Sequence, residues 1–402
     1  MVSEAPPKPS RRHRWKKRGY AVITAFASVG WLGVVGLYVS TDGFLGFGGV
    51  PSARSVAHIR ASAHYDGRDF VNLEPTDLMK VSYWETSKHA AFGNEMRTPT
   101  CPLPIVTDAA ARLQRPPETG LRVTWLGHST TLVEVDGAVV LTDPNWSQRS
   151  SPSAWVGPER FHPPPIAIGD LPKLDAVVIS HEHFDHCDMG SIRALLRKQP
   201  DLRFHVPLGV AGHLEAWGVP SAQIVEADWW ESTVIEGRGV EITSTPARHF
   251  NGRGVPWRAG SFWTSWTIVG PAHRVFFSGD TGLSERGLRE IREKKGPFDL
   301  AMLEIGQHSP DWGDIHLGPA GALDAHGLLG AKHLLPIHWS TFQLAYHDWS
   351  EPAETLVKLA AEKPGTSVVT PRLGEPVEPG REGAPKTTPW WRPLPPLAAS
   401  CP

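Results

Sequence analysis

The densest chemistry in the chain lies in Ser180-His181-Glu182-His183-Phe184-Asp185-His186-Cys187-Asp188. Three histidines and an aspartate within six residues suit zinc, and also iron, manganese or nickel. Burying so many polar groups is costly unless each finds a partner, and metal ions supply partners. In an extended or looped segment His181 and His183 can point to one side, which leaves Asp185 and His186 to reach a second site.

Such a segment needs a rigid support. Ala176-Val177-Val178-Ile179, directly before it, is a short apolar run that reads as a buried strand. Leu121 to Leu126 alternates at period two, as a half-buried strand does. Thr131–Val135 and Ala138–Thr142 follow, split by Asp136-Gly137, a hairpin signal. Later strands are expected at 240–243, 262–268, 275–277 and 300–303, and helices at 191–198, 287–294, 319–329 and 352–362. Strands in two series, each with helices, predict an α/β protein of layered sheets.

The blocks around these elements carry a resemblance. Val123-Thr124-Trp125-Leu126-Gly127-His128 precedes Leu141-Thr142-Asp143-Pro144 and Gly157-Pro158-Glu159-Arg160-Phe161. The His-x-His-x-Asp-His block comes next, followed by Asp228-Trp229-Trp230-Glu231 and Thr245-Pro246-Ala247-Arg248-His249. Phe277-Ser278-Gly279-Asp280-Thr281-Gly282 and Ile337-His338-Trp339-Ser340-Thr341-Phe342 close the series. In this order, over roughly residues 54–392, the blocks resemble those of the metallo-β-lactamase superfamily. More narrowly, they resemble N-acylphosphatidylethanolamine-hydrolysing phospholipase D and its bacterial relatives.

The resemblance implies a four-layer αβ/βα sandwich with the metal site at one edge between two sheets. It implies two Zn²⁺ ions, with manganese or iron as alternatives. His181, His183 and His249 would bind the first ion, Asp185, His186 and His338 the second, and Asp280 would bridge both. Two ions can hold a shared water as hydroxide for attack on phosphorus or carbonyl carbon. Asp185 is also placed to orient that nucleophile. His316, in Asp314-Ile315-His316, matches a family histidine near the site, as a substrate contact, a leaving-group acid or a support. His128 and Asp143 are expected to hold ligands rather than bind metal. Cys187 reads as a small packing residue, because seven ligands already fill the pattern.

The implied reaction releases N-acylethanolamine and phosphatidic acid from N-acylphosphatidylethanolamine. The rival is a lactonase-type hydrolase of a sugar-phosphate or other small molecule. A reading of another class is a membrane-anchored envelope protein that binds metal without turnover. Fold and metal site alone do not choose a substrate. Trp229 and Trp230 could line an apolar entry or belong to the core.

The N-terminus adds a membrane. Residues 1–18 carry seven Lys or Arg against one Glu, and Tyr20 to Val39 contains no charge. Twenty such residues span roughly 30 Å as a helix, the thickness of a bilayer's hydrocarbon core. The expectation is a basic cytoplasmic segment (1–18), then a transmembrane anchor or a cleaved signal (19–40), with the catalytic body on the far side, periplasmic or extracellular in a bacterium. A linker and N-terminal extension (41–118), the hydrolase domain (119–370) and a Pro-rich C-terminal segment (371–402) complete the division. The paired Trp390 and Trp391 argue that part of the last segment packs on the body. Net charge is −2, so nothing global suggests a nucleic-acid partner. Three widely spaced cysteines show no disulfide framework.

Overall fold

A computed structural model describes residues 29–253, 260–309, 311–383 and 387–392. Six strands build most of the first sheet: β1 (Leu121–Gly127), β2 (Thr130–Val135), β3 (Ala138–Thr142), β4 (Ala176–Val178), β5 (Phe204–Pro207) and β6 (Ile224–Ala227). Seven build the second: β7 (Ser232–Ile235), β8 (Val240–Thr245), β9 (Ser265–Val269), β10 (Arg274–Phe277), β11 (Leu300–Glu304), β12 (His333–Ile337) and β13 (Ser367–Val368). The short β14 (Pro376–Val377) returns to pair antiparallel with β1. Each sheet starts as an antiparallel meander and ends in parallel strands, β3 to β6 in one and β10 to β13 in the other.

The period-two pattern decides what each face touches. Val133 and Val135 of β2 face the core between the sheets, where they join Trp266, Ile268 and Phe277. Leu132, between them in sequence, faces the other way, onto Ile192 and Leu195 of helix Met189–Lys198. The outer face of the second sheet is covered by helices Glu285–Lys295, Gly318–Leu329 and Glu351–Ala361, through residues such as Ile291, Ala322 and Leu356. The layers are therefore helix, sheet, sheet, helix. At the hairpin, Asp136 and Gly137 both have positive φ (47° and 85°), as a two-residue primed turn requires.

Several expectations take definite form. Trp390 and Trp391 are buried; Trp390 stacks on Trp339 and leans on Trp125, and Trp391 meets Trp339 edge-on, so the C-terminal Trp pair closes the inter-sheet core. Trp229 belongs to a third apolar cluster with Phe70, Phe262 and Trp263, and Trp230 packs beneath Lys294. Neither forms an apolar entry. Cys187 is free and buried, and burial pushes its thiol up to about 12. Cys101 is disulfide-bonded, which cysteine spacing did not reveal.

The basic segment and most of the apolar run fall outside the described residues. Residues 29–40 are helical and largely exposed, but among the described residues no helix is long and apolar enough to cross a membrane. The transmembrane helix expected at 19–40 is thus not part of the described architecture, because only its last twelve residues are described.

Candidate metal centre

The site collects at the carboxyl ends of the strands, where loops leave the sheets. The 181–186 segment follows β4, His249 follows β8, Asp280 follows β10 and His338 follows β12. The structure brings all seven expected ligands together. His181, His183, His249 and Asp280 form one group of donor atoms within 4.8 Å of one another. A second such group contains Asp185, His186, His338 and also His128. Asp280 Oδ2 lies 3.2 Å from His186 Nε2, 3.1 Å from His338 Nε2, 3.8 Å from His181 Nε2 and 3.9 Å from His249 Nε2. It therefore stands between both groups.

Each ring is oriented from behind, as metal-binding imidazoles usually are. His186 Nδ1 lies 2.7 Å from Asp143 Oδ2, and Ser180 donates to both oxygens of the same carboxylate. His249 Nδ1 faces the carbonyl of Ile315 at 3.0 Å, and His338 Nδ1 faces that of Gly306 at 3.2 Å. His181 Nδ1 meets Ser180 Oγ at 2.9 Å. Asp185 Oδ2 is 2.7 Å from His128 Nε2. Asn72, from the N-terminal extension, accepts from the His249 amide and donates to its carbonyl.

The backbone is held as firmly. His128, Asp143 and His338 all have positive φ (51°, 33° and 66°). For non-glycine residues this costs about 1–3 kcal/mol each and persists only where the surroundings impose it. They do: the His338 amide donates to the His128 carbonyl at 3.0 Å, and the His128 amide donates to Thr341 Oγ1 at 2.6 Å. The Trp-Leu-Gly-His and Ile-His-Trp blocks thus form one interlocked unit. Arg160 of the Gly-Pro-Glu-Arg-Phe block donates to the carbonyls of Asn145 and Ser147, and Asn145 in turn donates to the Asp185 carbonyl.

The donor set fits metal ions. His181 Nε2 and His183 Nδ1 face each other at 2.8 Å, although burial holds both imidazoles below the ordinary histidine range, where neither carries a charge. His186 Nε2 and Asp280 Oδ1 are buried without a well-formed hydrogen bond. Burial would also lower His338, but the charge of Asp280 and hydrogen bonds donated to Asp185 and Asp280 outweigh it and push its pKa up to about 10. His186 is lifted well above its usual value by Asp280 and Asp185, again against burial. A cluster that must retain protons to balance its carboxylates is one a cation can occupy in their place.

Three other residues complete the surroundings, and one of them was missed. Glu182 is no ligand: its carboxylate takes the Gly252 and Arg253 amides and lies 2.8 Å from His213 Nε2. His316 stands beside the centre, its ring 5.3 Å from His249 and 5.5 Å from His338. Its Nδ1 is 2.6 Å from Glu304 Oε2. Glu304 was missed. It is fully buried at the end of β11 and accepts from the Thr281 and Leu317 amides at 2.8 and 3.1 Å. A carboxylate closing the apolar run Leu300–Leu303 was the one available signal.

Comparison with known proteins agrees with this geometry. Residues 139–339 match the family described as beta-lactamase superfamily domain. The chain is 42% identical over 361 residues to an uncharacterized protein of Mycobacterium tuberculosis, covering 86% of this chain and 93% of that one. It is 34% identical over 311 residues to N-acyl-phosphatidylethanolamine-hydrolyzing phospholipase D 1 of Caenorhabditis elegans, covering 75% of this chain and 86% of that one. Among solved structures, an isothiocyanate hydrolase from Delia radicum gut bacteria shares the fold, with a TM-score of 0.50, 17% identity, and coverage of 64% of this chain and 98% of that one. The chain belongs to the metallo-β-lactamase superfamily and is a metal-dependent hydrolase.

Proposed function

We propose that the protein is a two-metal phosphodiesterase of phospholipase D type, which releases N-acylethanolamine and phosphatidic acid from N-acylphosphatidylethanolamine. The observation that carries this reading is the pairing of two histidine groups joined at Asp280 with a 34% identical relative named for that reaction. His181, His183 and His249 would hold one ion, Asp185, His186 and His338 the other, and Asp280 both, with zinc as the metal. Bound there, the ions would lower the pKa of a water and neutralise charge developing on a phosphoryl oxygen.

The chain's own residues do the rest. Asp185 orients the attacking water, itself held by His128 at 2.7 Å. His316 Nδ1 is occupied by Glu304, which aims the ring's other nitrogen away from that carboxylate. That nitrogen gives a proton to the departing N-acylethanolamine oxygen as the P–O bond breaks. The hydroxyl of water ends on phosphorus, and its proton replaces the one His316 gave. His316→Gln should then retain both metal ions and lose turnover.

The uncharged run from Tyr20 to Val39, with its basic flank, would tether the body to a membrane and raise the local concentration of a lipid substrate. The disulfide at Cys101 accords with an oxidising compartment on the far side. The test is product analysis by mass spectrometry. Zinc-loaded protein is offered N-acylphosphatidylethanolamine in micelles, lactones and small phosphodiesters, with Asp185→Ala as the blank. Phosphatidic acid and N-acylethanolamine, absent from the blank, are the expected products. An intact lipid beside a cleaved lactone or small diester would overturn the substrate and leave the metal-site argument standing.

A further inference from the structure

Helix Tyr83–Phe92 of the N-terminal extension exposes Trp84 at 68% and Phe92 at 80%. Lys88 stands between them, its ammonium 5.5 Å from the Trp84 ring. Spacings of four place these three residues along one stripe of the helix. Another side of the helix is fastened down: His89 lies 3.1 Å from Asp311 and 2.6 Å from Glu95. Leu78 and Met96, just beyond the two ends, are also exposed. Large aromatic residues this bare on a well-anchored helix mark an interaction surface. Two aromatics around a lysine suit a helix lying in a lipid–water interface, with the rings at headgroup level and the ammonium reaching water.

The helix hangs from the rim of the metal centre. Met79 forms a bridge to Trp312, whose ring is 5.5 Å from His316. Met96 pairs with Asp348 and Trp349, in the loop after β12. A second apolar surface flanks the same carboxyl-end rim. There helix 29–40 exposes Trp31, Leu32 and Tyr38, and Gly36 sits against the exposed Trp155 of the loop after β3. The chain leaving that helix is bolted to the domain. Arg193 pairs with Asp42, Trp217 donates to the Leu45 carbonyl at 2.8 Å, and the Gly49 amide meets His213 at 3.1 Å.

We propose that helix Tyr83–Phe92 docks on a lipid bilayer through Trp84, Lys88 and Phe92. It forms a second membrane contact that, with the N-terminal run, turns the mouth of the metal centre toward the lipid surface. This rests on the reading that residues 20–39 hold the protein at a bilayer. A bilayer suits the stripe better than a second copy of the chain, because lysine is depleted from protein interface cores but stays hydrated among headgroups. The uncharged run and its basic flank supply the matching chemistry on the other side of the rim.

The test uses the full chain in vesicles of phosphatidylcholine and phosphatidylglycerol. A nitroxide is placed at Trp84→Cys, Phe92→Cys or, as control, Lys198→Cys. Cys187 is buried and Cys101 is disulfide-bonded. Lys198 ends a ten-residue helix that leads about 15 Å away from the site. Collision with a water-soluble nickel chelate should drop severalfold at 84 and 92 on reconstitution, collision with oxygen should rise, and neither should change at 198. Chelate access at 84 and 92 equal to that at 198, in protein that floats with the vesicles, would overturn the docking and leave the anchor. Protein that does not float contradicts the anchor reading and the docking with it. Dipolar broadening between labels at 84 in detergent would overturn the proposal in favour of a second copy.

Discussion

The two halves of the metal centre are built differently. On one side His181, His183 and His249 lean on lighter supports, a serine hydroxyl, a backbone carbonyl and the amide of Asn72. His183 is only half-buried and packs on Phe250. On the other side His186 and His338 are almost wholly buried and Asp185 nearly so, and their partners are the buried Asp143, His128 and Glu304. Buried carboxylates behind imidazoles fix the ring and raise its basicity more than a carbonyl does. The half that contains the half-buried His183 should therefore exchange its ion first, and the half braced by Asp143 last.

Breaking the bridge should have the largest effect, because Asp280 serves both halves. Asp280→Asn should lower turnover on the order of 10²–10³-fold, the scale seen when a main charge-stabilising group is lost, and leave less than one ion per chain by elemental analysis. Next comes Asp143→Asn, which frees the His186 ring. It should weaken binding of the second ion about 10–100-fold, read by competition with a chromogenic chelator, with the first ion little changed. Asn72→Ala should do the reverse and more mildly, releasing the first ion by no more than about 10-fold. If both variants weakened the same ion, the difference between the halves would not hold.

Proton linkage sharpens the same contrast. His338 sits at about 10 against an ordinary 6.5. Its imidazolium therefore stabilises the metal-stripped protein fully below about pH 6.5, and that contribution is lost as pH rises through 10. The melting temperature of stripped protein should fall between pH 7 and pH 10, and zinc-loaded protein should escape this fall because metal replaces the proton. A smaller effect is expected at the rim. His89 is raised above its usual value by Asp311 and then Glu95. Its hold on helix Tyr83–Phe92 should weaken as pH rises through that elevated value, seen as faster limited proteolysis near residue 90. His89→Gln should abolish the pH dependence.

Much of this was legible in the sequence where local pattern and chemistry coincide. The strand before His181 announced itself as an apolar run, and the Asp136-Gly137 hairpin by its turn residues. The ligand set followed from blocks whose order matched a known superfamily. Glu304 was not legible, because a single carboxylate acquires meaning only when Thr281, Leu317 and His316 are folded around it. Strands β5, β6 and β7 were missed because His205, Glu226, Ser232 and Thr233 break up the apolar run that marked the equally short β4 and β10. The roles of Asn72 and helix Tyr83–Phe92 were hidden for the same reason as Glu304: a Pro-punctuated stretch gives no periodic signal, and its partners lie some 170 to 250 residues away.

The most direct test of the central claim is the metal stoichiometry of the purified full chain, measured by elemental analysis against protein concentration. Two zinc-class ions per wild-type chain, with the less tightly bound one leaving first under mild chelation and its loss matched by Asn72→Ala, would agree with two unequal halves sharing Asp280. A single ion per chain at saturating metal, or two ions retained in Asp280→Asn, would contradict it.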